Sequence, residues 1–109
     1  MGMTITFDYL ATVYNVVDGD TVDLSVDLGF RQYMRDRFRL LGINTPERGQ
    51  PGWAEATAGL RDMLPVGTDC RIMTVKPRDK YGRWLCTIWV GDLIVNQKML
   101  ERGLAVPYS

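Results

Sequence analysis

Between residues 21 and 28 the chain alternates without a break. Val22, Leu24, Val26 and Leu28 fall on one parity, and Thr21, Asp23, Ser25 and Asp27 on the other. A period of two belongs to a half-buried strand, because successive side chains leave opposite faces of the backbone. The run before it, residues 10–17, is rich in β-branched and aromatic types and ends at Asp18-Gly19. Residues 33–41 alternate again: Met34, Phe38 and Leu40 share one parity, Tyr33, Arg35, Arg37, Arg39 and Leu41 the other. Three arginines are thereby placed along one side of a strand.

The period then changes. Trp53, Ala56, Leu60, Met63 and Leu64 recur at helical spacing, Gly59 weakens the helix slightly and Pro65 stops it. Strands return at about 69–76 and 83–90, joined through Pro77 to Gly82. A short helix is expected around 96–102, with Asn96 as its cap and Gly103 just past its end. The expected fold is mainly β with α. Three strands, a helix, two strands and a short helix make the order of an OB-type five-stranded barrel, with the long helix between the third and fourth strands. A small α+β sandwich fits the same string. At 109 residues, 46% of them apolar, the chain is expected to form one domain over 1–109 around one modest core.

Thirteen Lys and Arg balance thirteen Asp and Glu, so overall charge offers no argument for a polyanionic partner. Position does. Nine of those cations lie in two segments, Arg31 to Arg48 and Lys76 to Arg83, with only Asp36, Glu47 and Asp79 among them. If the two segments meet, they make a positive patch on a neutral protein. The chain has no histidine, which excludes a Ser-His triad and a histidine zinc site. Cys70 and Cys86 stand in unrelated apolar runs and are read as buried thiols. No apolar run approaches the ~20 residues of a membrane span. The first ten residues lack a basic segment followed by an apolar one. A cytoplasmic monomer with no membrane association is therefore expected.

Three segments hold residues able to do chemistry, and each has a plain structural reading. Asp18-Gly19-Asp20-Thr21 reads as a hairpin turn. If the following strand begins at residue 20, however, Asp20 shares the inward parity of Val22, and an inward carboxylate is costly unless donors or a hard metal ion meet it. Thr45-Pro46-Glu47 reads as a helix start. That does not explain Arg39, which shares its parity with Leu41 and Ile43 in an apolar stretch. Lys80-Tyr81-Gly82-Arg83 reads as a polar turn, and the same two cations suit phosphate binding, with Arg able to grip two oxygens at once.

Taken together and in order, these segments resemble the staphylococcal nuclease-like (thermonuclease) family. The resemblance runs from about Val13 to Tyr108. It rests on Val17-Asp18-Gly19-Asp20-Thr21, on Arg39-Leu40-Leu41-Gly42-Ile43-Asn44-Thr45-Pro46-Glu47, on Asp79-Lys80-Tyr81-Gly82-Arg83, and on Val95-Asn96 leading to Arg102-Gly103-Leu104-Ala105. It implies an OB barrel that hydrolyses phosphodiester bonds of DNA and RNA with one Ca²⁺. It further implies that Asp20 is a metal ligand, that Thr45 offers its backbone carbonyl and that Asp18 supports the site. Glu47 would orient or deprotonate the attacking water, and Arg39 and Arg83 would hold the phosphate. Lys80 and Tyr81 would contact a neighbouring phosphate, and Tyr108 would line a base pocket. Where the best-known members carry a second metal-binding aspartate, this chain has Asn44. An amide oxygen still coordinates calcium, but the site loses one negative charge.

The chemistry agrees with those roles. Phosphodiester hydrolysis gathers charge on oxygens that are already anionic, which a divalent ion and two guanidiniums answer without any nucleophilic side chain. The expected function is a metal-dependent nuclease, an endonuclease by this reading. The alternative is an inactive OB module that only binds nucleic acid. A manganese-dependent sugar-nucleotide enzyme built on Asp18-Gly19-Asp20 is a weaker third reading, since no nucleotide-binding βαβ unit is present.

Overall fold

The computed structural model describes residues 7–75 and 82–108. Three long antiparallel strands open it: β1 (Phe7–Asp18), β2 (Thr21–Gly29) and β3 (Gln32–Leu40). A two-residue β4 (Ile43–Asn44) and helix α1 (Trp53–Met63) follow. Then come β5 (Asp69–Val75), β6 (Trp84–Val90), a two-residue β7 (Leu93–Ile94), helix α2 (Val95–Glu101) and a two-residue β8 (Val106–Pro107).

The sheet runs β3-β2-β1-β5-β6, and β6 returns parallel to β3, with Phe38 opposite Trp84 and Leu40 opposite Cys86. That last pairing closes a five-stranded barrel, the expected OB-type fold, and leaves the long helix between the third and fourth long strands. The barrel is filled by Val13, Val22, Leu24, Val26, Phe38, Leu40, Ile72 and Ile88, and α1 closes it with Ala56, Leu60 and Leu64. Cys70 and Cys86 are buried free thiols, as expected, and burial raises both, Cys70 to about 11.

Three expectations are corrected. Leu28 shares the inward parity of β2 yet is exposed, because the β2–β3 hairpin carries it beyond the core. Thr45-Pro46-Glu47 does not start a helix: α1 begins at Trp53, with Gly52 at its N-cap in a left-handed conformation. Asn96 is not a cap either. It lies inside α2, buried, after Ile94 at the N-cap.

The strand β1 also hides a feature that alternation alone misreads. Its register against β2 shifts between Val13 and Asn15 and again between Val16 and Asp18. The inward set consequently switches from Ala11 and Val13 to Val16, and the strand ends with Asp18 opposite Thr21. Gly19 and Asp20 form the connection. A Cβ on Gly19 would lie 2.7 Å from Ala56 Cβ and 3.0 Å from Thr45. Glycine is required here by close approach to α1, and that approach brings the turn onto the segment after β3.

Candidate functional site

One pocket of about 290 Å³ is lined by Asp18, Asp20, Arg39, Asn44, Thr45, Pro46, Glu47, Arg83 and Tyr108. Eight of the ten residues singled out from the sequence are therefore neighbours in space. The other two, Lys80 and Tyr81, lie outside the described residues. Four pieces of the fold supply the set: the β1–β2 turn, the end of β3 with the segment after it, the residue before β6, and the chain following β8.

Asp20 is the hub. It is 7% exposed, at the mouth of the barrel beside α1. Its Oδ2 accepts from the Thr45 N–H at 3.1 Å and from Arg39 Nη2 at 3.4 Å, and its Oδ1 accepts from Thr21 Oγ1 at 3.0 Å. Its own N–H donates to Asp18 Oδ1 at 3.2 Å. The cost of an inward carboxylate is met by these donors and a cation. Asp18 is less well compensated. Burial raises its carboxyl above the ordinary 3.8, and the neighbouring Asp20 carboxylate raises it further.

Arg39 breaks the pattern of its strand. Arg35 and Arg37 share its parity and are exposed, while the Arg39 side chain is 8% exposed. Its Nη2 also donates to Asn44 Oδ1 at 3.0 Å, its Nη1 to the Leu40 carbonyl at 3.4 Å, and its guanidinium sits 4.9 Å from the Tyr108 ring centre. Tyr108 is brought there by backbone pairing. Strand β8 lies antiparallel to β4, and the Tyr108 N–H donates to the Gly42 carbonyl at 2.9 Å. Arg83 reaches the same pocket from the chain just before β6, which the parallel β3–β6 pairing sets beside Arg39.

Two residues that sequence reasoning did not assign to the site hold its frame. The Glu47 N–H donates to Gln50 Oε1 at 2.9 Å, and the Gln50 N–H donates to the Glu47 carbonyl at 2.9 Å. Gln50 thereby fixes the turn that carries the Glu47 carboxylate. Nothing in the sequence marks it, since it lies in a short polar loop. Asn96 accepts from the Ile88 N–H at 3.1 Å and donates to the carbonyls of Leu41 at 2.9 Å and Cys86 at 3.1 Å. It ties α2 and β6 to the segment leading into Asn44 and Thr45. Its signal was an amide three residues before Met99 on the inward side of a helix.

Among the described residues no three His, Cys, Asp or Glu side chains converge as a metal-binding group. The oxygen-bearing side chains at the pocket are instead of mixed kind: the carboxylates of Asp18 and Asp20, the Asn44 amide and the Thr45 hydroxyl. Thr45 Oγ1 is buried with no hydrogen-bond partner among the described residues. Hard oxygen donors, two crowded carboxylates and an unsatisfied hydroxyl are compatible with Ca²⁺ or Mg²⁺ and ill-suited to a soft metal.

The family model described as "Staphylococcal nuclease homologue" matches residues 37–109. The chain is similar to a protein named Thermonuclease from Staphylococcus intermedius, at 32% identity over 85% of this chain and 56% of the relative. It is 29% identical to a Thermonuclease from Staphylococcus hyicus over the same shares. To a protein named Protein ParB from Escherichia coli it is 33% identical, over 88% of this chain and 55% of the relative. The chain thus spans about half the length of the curated relatives it matches. Among the described residues no helix is long and apolar enough to cross a membrane.

Proposed function

This chain belongs to the staphylococcal nuclease homologue family, and from that premise we propose that it is a metal-dependent nuclease acting on DNA, RNA or both. The observation that carries this reading is the meeting of Asp18, Asp20 and Glu47 with Arg39 and Arg83 in one pocket. Acid to handle water and two guanidiniums to hold phosphate are what diester hydrolysis requires.

In this mechanism Glu47 accepts a proton from the attacking water as its oxygen bonds to phosphorus. The bond from phosphorus to the leaving nucleotide oxygen breaks on the opposite side. Arg39 and Arg83 hold the non-bridging oxygens, and their contacts strengthen as charge builds there. Asp20, Asn44 and the Thr45 carbonyl would hold a divalent ion, with Asp18 supporting them. Bound there, Ca²⁺ would supply positive charge against the reacting phosphate. Lys80 and Tyr81 are proposed contacts to an adjacent phosphate, and Tyr108 to a base.

Internal cutting is also proposed. A second groove of about 540 Å³, bounded by Gln50, Pro51 and Gly103 to Val106, shares Asn44, Thr45, Pro46 and Glu47 with the pocket. A strand would then enter along one and leave along the other. The chain is proposed to work as one monomeric domain.

Labelled single-stranded DNA incubated with chelator, then with Ca²⁺, Mg²⁺ and Mn²⁺ in turn, tests the reading. Cleavage is expected only with a divalent ion. Undiminished cleavage in excess chelator would overturn the metal assignment, and binding without cleavage under any ion would reduce the protein to a binding module.

A further inference from the structure

The β2–β3 hairpin is built against local preference. Its two-residue tip, Phe30-Arg31, has φ of 54° and 61°, so both residues are left-handed. Such tips favour Asn-Gly, since Gly has no Cβ, Asn tolerates the left-handed region and bulky side chains are strained there. Phe30 is in addition 98% exposed, so the strained tip displays a bare aromatic ring. Among the described residues nothing in the fold or in the pocket chemistry uses it.

From that tip a single row leads to the candidate site. Tyr33, Arg35, Arg37 and Arg39 share one face of β3. Tyr33 is 67% exposed, and the Arg35 guanidinium stands 5.2 Å from the Tyr14 ring centre. Arg39 ends the row inside the pocket. At about 3.3 Å per residue the distance from Tyr33 to Arg39 is roughly 20 Å, the length of a few nucleotides. Aromatic faces alternating with arginines make a surface on which bases stack while phosphates meet cations. The acids on the facing strand are engaged: Asp23 pairs with Arg37 at 2.8 Å, and Asp27 accepts from the Gly29 N–H at 2.8 Å.

We infer that the outer face of the β2–β3 hairpin, from Phe30 through Tyr33 and Arg35 to Arg37, is an extended binding track for single-stranded nucleic acid that feeds the pocket. Phe30 and Tyr33 stack bases, Arg31 and Arg35 follow the backbone, and Arg37 stays paired with Asp23. The inference rests on the proposed phosphodiester chemistry of the pocket and names its substrate class. A duplex has its bases already stacked, so it gains only the cationic contacts.

The test is fluorescence anisotropy with labelled oligo-dT of four and sixteen nucleotides, in chelator so that nothing is cut. The native protein is expected to bind the longer strand at least tenfold more tightly, and more tightly than a duplex of equal length. A variant combining Phe30→Asn, Tyr33→Ser and Arg35→Gln keeps a good turn residue at the tip and is expected to fold. It should lose most of the length-dependent gain. A variant within twofold of the native protein on the sixteen-mer would overturn the track. So would a duplex preference, or a native dimer that the variant abolishes, which would make the hairpin a self-association surface. Hydrolysis of bis(p-nitrophenyl) phosphate by the native protein with Ca²⁺ reads the pocket separately. Its absence with length-dependent binding intact would sink the nuclease reading and leave the track standing.

Discussion

Glu47 sits on a turn that Gln50 closes from both sides, through its own N–H and its side-chain oxygen. The proposed role of Glu47 concerns water and leaves the phosphate to Arg39 and Arg83. Glu47→Gln should therefore lower kcat by about 10²–10⁴-fold, the range of a general base, with substrate binding little changed. Single-turnover cleavage alongside a binding titration measures both, and a rate within twofold of the parent would remove Glu47 from the chemistry. Asp18 gives a prediction that needs no activity. Burial and then Asp20 raise its carboxyl above 3.8, so just above that pH the folded protein keeps a proton that the unfolded chain releases. Stability therefore falls as pH rises through this window, and charged Asp18 is a liability to the metal-free fold at pH 7. Asp18→Asn should raise the melting temperature at neutral pH in chelator, with the gain shrinking toward about pH 4. A gain that is flat from pH 3 to 8 would mean that Asp18 titrates in its ordinary range.

At the scale of elements, the segment from Leu41 to Glu47 has little regular structure of its own and is held from outside. Strand β8 pairs with β4, Asn96 of α2 takes the Leu41 carbonyl, and α1 packs under the Asp18-Gly19-Asp20 turn through Ala56. Gly59 on α1 leaves room for Leu104, which seats the chain that returns as β8. Asn96→Ala would take this partner from the Ile88 N–H and the Leu41 carbonyl, while the Cys86 carbonyl keeps the Leu41 N–H at 2.8 Å. The cost should be about 2–4 kcal/mol, because buried backbone groups lose bonds that no water replaces. Urea unfolding measures the loss. A destabilisation below about 0.5 kcal/mol would mean that the carbonyls find other donors.

For the whole molecule, neutral net charge conceals a local division of charge. Among the described residues, Arg83 of the second segment comes beside the first where β6 returns along β3, and Arg39 and Arg83 share the pocket. Ion binding at the carboxylates beside them should register in global stability, since only the folded chain gathers these donors. Ca²⁺ at about 100 times its Kd should stabilise by about 2.7 kcal/mol and raise Tm by roughly 10–20 °C for a domain of this size. Melts across a Ca²⁺ titration check this, and no response up to millimolar Ca²⁺ would remove the ion from the site. Much of this architecture was legible in local pattern. Alternation at Val22, Leu24 and Val26, helical spacing from Trp53 to Leu64 with Pro65 after it, and the Asp18-Gly19 turn each depend on near neighbours, so residue order alone determined them. Motif order also singled out eight residues that the fold brings into one pocket. Tertiary structure decided the rest. The register shifts of β1, the parallel β3–β6 closure and the β4–β8 pair depend on which strands meet, and such distant pairings carry no local period. Arg39 and Arg37 share a parity, yet one is buried and the other is exposed. The difference comes from Asp20, Asn44 and Tyr108, which residue order does not bring together and which only the closed barrel sets around one guanidinium.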